Sequence, residues 1–163
     1  MGNLTEFAER MKAVKKEMEE VAKTEGKAMV KSALKDIFDK FPEIKAIRWT
    51  QYTPYFNDGD ACTFSVNEVE LTFTENCDAD ADEDDEREDW KDSWSLKSAV
   101  EPYKGTSTLS PEDKKLYEAV LEEINTLSSN LSAITDAMEI AFGDHVQVTA
   151  TPKGLTIDEY EHD

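Results

Sequence analysis

The stretch from Ile47 to Phe64 constrains the fold more than any other. At its centre, Asn57-Asp58-Gly59-Asp60 is the best turn signal in the chain, because these residues tolerate the positive φ that tight turns require. Apolar and polar residues roughly alternate on both sides, the period of a strand with one buried face. The pattern predicts a hairpin: a strand over 44–53, a turn over 55–60 and a return strand over 61–73. In the return strand, Phe64 and Val66 keep one parity while Val69, Leu71 and Phe73 keep the other. A bulge near Asn67-Glu68 reconciles them. Trp49, Tyr52, Tyr55 and Phe56 read either as core against helices or as a ligand-stacking surface, and rings on a hairpin are more often core.

Helical periodicity brackets this hairpin. Asn3, with Glu6 three residues on, reads as a capping box opening a first helix. Leu4, Phe7, Met11, Val14, Met18 and Val21 then alternate steps of three and four, an a/d stripe that predicts packing along another helix, as ordinary core. A kink or break is expected at Glu25-Gly26. A second apolar face follows at Met29, Ala33, Ile37 and Phe41, and Pro42 ends it. Further on, Ser110-Pro111-Glu112-Asp113 combines a cap, a first-turn proline and acids on the positive end of the dipole. Tyr117, Val120, Ile124, Leu127, Leu131, Ile134, Met138 and Ala141 predict one long helix over 110–142, closed by Gly143. Its stripe suits pairing with the first helix or, as a homodimer seam, with a second chain. A last hairpin is expected from 146–151 and 155–160 around Thr151-Pro152-Lys153-Gly154.

The predicted order is helix, hairpin, acidic loop, helix, hairpin. This reads as an α+β fold in a single domain over 1–163, with two or three long helices on a roughly four-stranded, mainly antiparallel sheet. Both halves run from a long helix through a Phe (Phe41, Phe142) to a strand ending Thr-Pro, which is compatible with an αββ pseudo-repeat.

Charge narrows function. The chain holds 18 basic and 37 acidic residues, a formal charge of −19. A field of that sign repels phosphate, so direct contact with nucleic acid or an anionic membrane is not expected, and basic protein surfaces are the favoured partners. The excess peaks between Glu75 and Asp92, with 11 acids against Arg87 and Lys91. Repulsion and the scarcity of apolar residues predict a flexible acidic insertion over 75–95. Trp90 and Trp94 at its end read as an anchor for that loop or as an interface hot spot, anchoring being the simpler role. Residues 96–109, with Pro102 and Gly105, read as a linker holding one helical turn at most.

The amino terminus turns polar at once, Glu6 spoils the myristoylation pattern after Met1-Gly2, and no apolar run approaches a membrane span. Cys62 and Cys77 are too few for a disulfide framework. A cytoplasmic protein is expected, in which the sequons at Asn3 and Asn130 have no role.

The string Trp49-Thr50-Gln51-Tyr52-Thr53-Pro54-Tyr55-Phe56-Asn57-Asp58-Gly59-Asp60, with Cys62, Phe64 and Val66 beyond it, resembles a segment of uncharacterised proteins of tailed bacteriophages and bacteria. The resemblance covers residues 41–73, about a fifth of the chain. It implies a phage or bacterial cytoplasmic setting and brings no activity or functional residue with it.

Specific chemistry finds little support. Asp78, Asp80 and Asp82 open like an EF-hand loop with Asp89 at the twelfth place. However, Glu83 occupies the position that needs glycine, and no amphipathic helix flanks the run. Cys62, Cys77, His145 and His162 lack zinc-ligand spacing. No nucleophile elbow, P-loop or dinucleotide fingerprint occurs, and turn chemistry accounts for Asp58 and Asp60. No enzyme, metal or cofactor is therefore expected. The leading expectation is an interaction protein whose carboxylates imitate the phosphates of a nucleic acid in a basic cleft. The contact set would be Asp78, Asp80, Asp82, Glu83, Asp84, Asp85, Glu86, Glu88, Asp89, Trp90 and Trp94. A homo-oligomeric assembly protein and an immunity-type inhibitor of a basic toxin are the alternatives.

Overall fold

A computed structural model describes residues 2–56, 58–75 and 90–162. Over these described residues the fold is α+β: four helices and an antiparallel sheet of six strands.

The first helix, α1, runs unbroken over Gly2–Lys40 and stops before Pro42, whose ring forbids continuation. Several expectations fail here, the burial of the Leu4 to Val21 stripe as ordinary core among them. Asn3 lies inside the first turn and does not cap it. Gly26 does not break the helix but marks a close crossing, where an added Cβ would come within 2.9 Å of Ala141 Cβ. The buried face of the C-terminal half is Val30, Leu34, Ile37 and Phe38, so Met29 and Ala33 point outward.

Strand β1 (Ala46–Tyr52) is central. It pairs along one edge with β2 (Ser65–Val66) and β3 (Glu70–Thr72), and along the other with β5 (Val146–Thr151). The expected return strand over 61–73 is thus two short strands, with Ala61 to Phe64 outside the sheet. The parity change is resolved as anticipated. Val66 pairs with Gln51 and Glu70 with Arg48, which sets the three residues Asn67 to Val69 against two, Thr50 and Trp49. Asn67 holds the bulge by donating its amide (2.8 Å) and its side chain (2.9 Å) to Thr50. In the preceding turn, Asp58 and Gly59 take positive φ of 44° and 89°.

Strand β4 (Trp90–Lys91) extends the sheet beyond β3, and β6 (Gly154–Glu159) closes the other side, giving the order β4-β3-β1-β5-β6 with β2 beside β1. The expected four strands become six because the bulge splits one and Trp90–Lys91 adds another. The second hairpin lies within a residue of its expected bounds.

After β4, Asp92 caps α2 (Ser93–Val100) by accepting from the Ser95 amide at 2.7 Å, where only a turn in a linker was expected. Helix α3 (Pro111–Ala133) starts as its signals dictate, the Ser110 hydroxyl accepting from Asp113 N at 3.1 Å. The single long helix expected to Phe142 is interrupted at Ile134 (φ −121°, ψ 39°), and α4 (Thr135–Phe142) follows in a new direction. The break lets α4 pack on α1 while α3 packs on α2.

One sheet face carries the core. Ile47, Trp49, Leu71, Val148 and Ala150 meet Leu34 and Phe38 of α1, Val120 to Leu131 of α3, and Met138 and Phe142 of α4. The Trp49 ring meets Phe142 edge-on at 6.0 Å. The stripe of α3 is thereby used inside the chain.

Candidate functional site

Nine of the carboxylates expected to form the contact set, Asp78 through Asp89, lie outside the described residues. Their attachment points are within them. Thr72 pairs with Trp90 and Leu71 with Lys91, so the described residues flanking the segment lie on neighbouring antiparallel strands. Trp90 is buried on the sheet face opposite the helices, with the Arg48 guanidinium 4.1 Å above its ring. Arg48 also meets Glu70 at 3.1 Å. Stacking on a delocalised cation suits an indole on an otherwise polar sheet face.

Four residues on, Trp94 stands 73% exposed in the first turn of α2. The adjoining Ser93 hydroxyl donates to Glu68. The two tryptophans therefore differ in setting: Trp90 is packed on the sheet, and Trp94 faces outward.

A second grouping lay beyond sequence reasoning, although its members were visible singly. At the end of β1 where β5 begins, His162 stacks on Tyr52 (3.7 Å) and on Tyr55 (4.2 Å), and His145 Nδ1 lies 2.8 Å from His162 Nε2. Such a pair needs one ring to donate and the other to accept. Asp144 supports it. One carboxylate oxygen accepts from the amides of Thr53 and His145, both at 2.8 Å, and the other from the Thr53 hydroxyl at 2.7 Å. Partial burial pushes the Asp144 carboxyl upward. The Thr53 hydroxyl and amide, the adjacent His145 ring and its amide outweigh that and hold it below the ordinary 3.8. The only signal in sequence was chemical type; the 17-residue separation of the histidines is closed by the pairing of β5 with β6.

Of the expected stacking surface, Trp49 is core, Tyr52 is half-buried, and Tyr55 and Phe56 are exposed. Among the described residues, no group of three or more His, Cys, Asp and Glu side chains is placed to hold a metal ion. Among the described residues, no helix is long and apolar enough to cross a membrane.

Charge is unevenly distributed over these elements. Helix α1 holds nine bases and eight acids and is close to neutral. The acid excess lies elsewhere and is densest between Glu75 and Asp92. An acidic surface therefore cannot extend along α1. Set against protein-family models, curated proteins and solved structures, the chain matches none.

Proposed function

We propose that this chain is a non-catalytic acidic interaction protein of a phage or bacterial cytoplasm, occupying the basic, nucleic-acid-binding cleft of another protein. The observation that carries the reading is where charge and exposed aromatic surface meet. The densest run of carboxylates directly precedes Trp90 in sequence, and Trp94 stands exposed four residues later. An aromatic anchor beside a charged rim is the usual anatomy of a protein interface. The partner's Lys and Arg would exchange counterions for carboxylates instead of phosphates, so association falls steeply with salt. The phage setting rests on the resemblance over residues 41–73.

The test is capture from a bacterial host lysate at low salt and at about 1 M salt, with DNA added as competitor. The expected result is a basic partner released by either treatment. Replacing the acids of 78–89 with Ser and Asn abolishes capture, and Trp94→Ala weakens it about tenfold or more, since exposed aromatic anchors carry about 2 kcal/mol. A partner that stays bound in high salt together with its nucleic acid would refute mimicry. An immunity-type inhibitor of a basic toxin shares the electrostatics and is distinguished by the partner's identity. The assembly reading is favoured by a different observation, the uncovered face of α1.

A further inference from the structure

The N-terminal half of α1 carries an apolar stripe that no other described residue covers. Leu4, Phe7, Met11, Val14, Met18 and Val21 alternate steps of three and four, and each is between 48% and 77% exposed. At about 100° per residue, this stripe lies roughly a third of a turn from the face formed by Val30, Leu34 and Ile37. The helix thus has two apolar faces, and the fold uses one. We infer that the other is the seam of an antiparallel pair made with α1 of a second copy of this chain.

The spacing fits that occupant. A strict alternation of three and four is the narrow seam of a two-stranded coiled coil, whereas a helix lying on a globular core shows a wider stripe. Leu4, Met11 and Met18 take the a positions, and Phe7, Val14 and Val21 the d positions. In an antiparallel pair a residues face d residues. A two-fold axis between residues 12 and 13 sets Leu4 opposite Val21 of the second copy, Phe7 opposite Met18, and Met11 opposite Val14. The seam then runs along about 26 Å of helix.

Charge selects the direction. In this alignment Arg10 flanks the seam opposite Glu17 of the second copy, twice by symmetry. A parallel pair in register would bring Arg10 against Lys15, two like charges. Helix α1 is also the long element without the acid excess, so two copies of a chain at −19 can meet here with least repulsion.

The body end of the stripe completes the fit. Met18, Val21 and Met29 of α1, with Ile134 and Ala137 at the start of α4, line an open apolar groove. The antiparallel register delivers Leu4 and the first turn of the second helix into it. That covers Ile134, a residue 46% exposed although it lies at the joint between α3 and α4. The pairing does not rest on the basic-partner reading, which uses a different part of the surface.

The test uses the full chain with Cys62 and Cys77 replaced by Ser, its mass followed by sedimentation from about 1 to 100 μM. The expected result is twice the chain mass. Arg10→Glu or Glu17→Arg alone weakens dimerisation about tenfold, with unchanged circular dichroism. The double swap restores it, which a merely damaged fold would not do. Leu4→Cys mixed with Val21→Cys forms a disulfide between the two variants, and neither variant cross-links with itself. A chain that stays monomeric at about 100 μM overturns the inference, whether residues 76–89 or another protein then proves to cover the stripe. Self-linking of Leu4→Cys, which marks a parallel pair, overturns it too, as does a double swap without rescue.

Discussion

Gln51 has no exposed surface and spends its whole amide on the fold. Its nitrogen donates to the carbonyls of Met138 (2.9 Å) and Gly143 (2.8 Å), and its oxygen accepts from the Trp49 indole at 3.1 Å. It thereby ties the central strand to the end of α4. Gln51→Leu keeps the volume and leaves an indole N–H and two carbonyls short of a partner. We expect a loss of about 3 kcal/mol, read as a lower urea midpoint at unchanged slope. A loss under about 1 kcal/mol would mean that water replaces the amide. Asp144 makes a second prediction. Its carboxyl is held below 3.8 in the fold, so its contribution is fully present above that pH and is lost as pH falls through the lower folded-state value. Asp144→Asn should therefore be less stable than the parent at pH 7, with the gap closing toward strong acid in paired denaturation curves. A gap independent of pH would show that the contribution is not that of the charge. These two residues were legible only as types; both lie in strings that also suit a surface strand, and their partners are about 90 positions away.

At the scale of elements, local signals proved reliable where the decisive interaction is itself local. The Ser110-Pro111 start, the β5–β6 hairpin and the bulge inferred from a parity change in the return strand are of this kind. Gly26 and Ile134 are not. Glycine reads as a helix breaker, yet α1 crosses α4 there so closely that a Cβ has no room. Ile134 continues a faultless stripe, yet the helix ends there so that α4 can turn onto α1. Gly26→Ala should gain up to about 1 kcal/mol of helix propensity and lose more to overpacking, about 1–3 kcal/mol, for a net fall in melting temperature. Adding Ala141→Gly should recover much of that loss, the coupling that a close contact requires. A Gly26→Ala variant that melts higher than the parent would place the helices further apart.

For the whole molecule, the charge of −19 opposes compaction by self-repulsion, with α1 as a nearly neutral arm. Between about 0.01 M and 0.15 M salt the screening length shrinks from about 30 Å to about 8 Å. The melting temperature should rise over that range, while binding to a basic partner falls. A flat melting temperature would mean that the acids are too dispersed to repel. The two halves of α1 draw the boundary between sequence and structure. Sequence by itself determined the α+β class, the hairpins, the start of α3 and the place where acids are densest, because each follows from neighbours a few residues apart. Only the tertiary structure decided which apolar stripe became core. The stripes of α1 and α3 share the three-four alternation, but α3 widens its own with Leu116 and Leu121 and lies where the sheet and other helices bury it, whereas the N-terminal stripe of α1 is left exposed by the described residues.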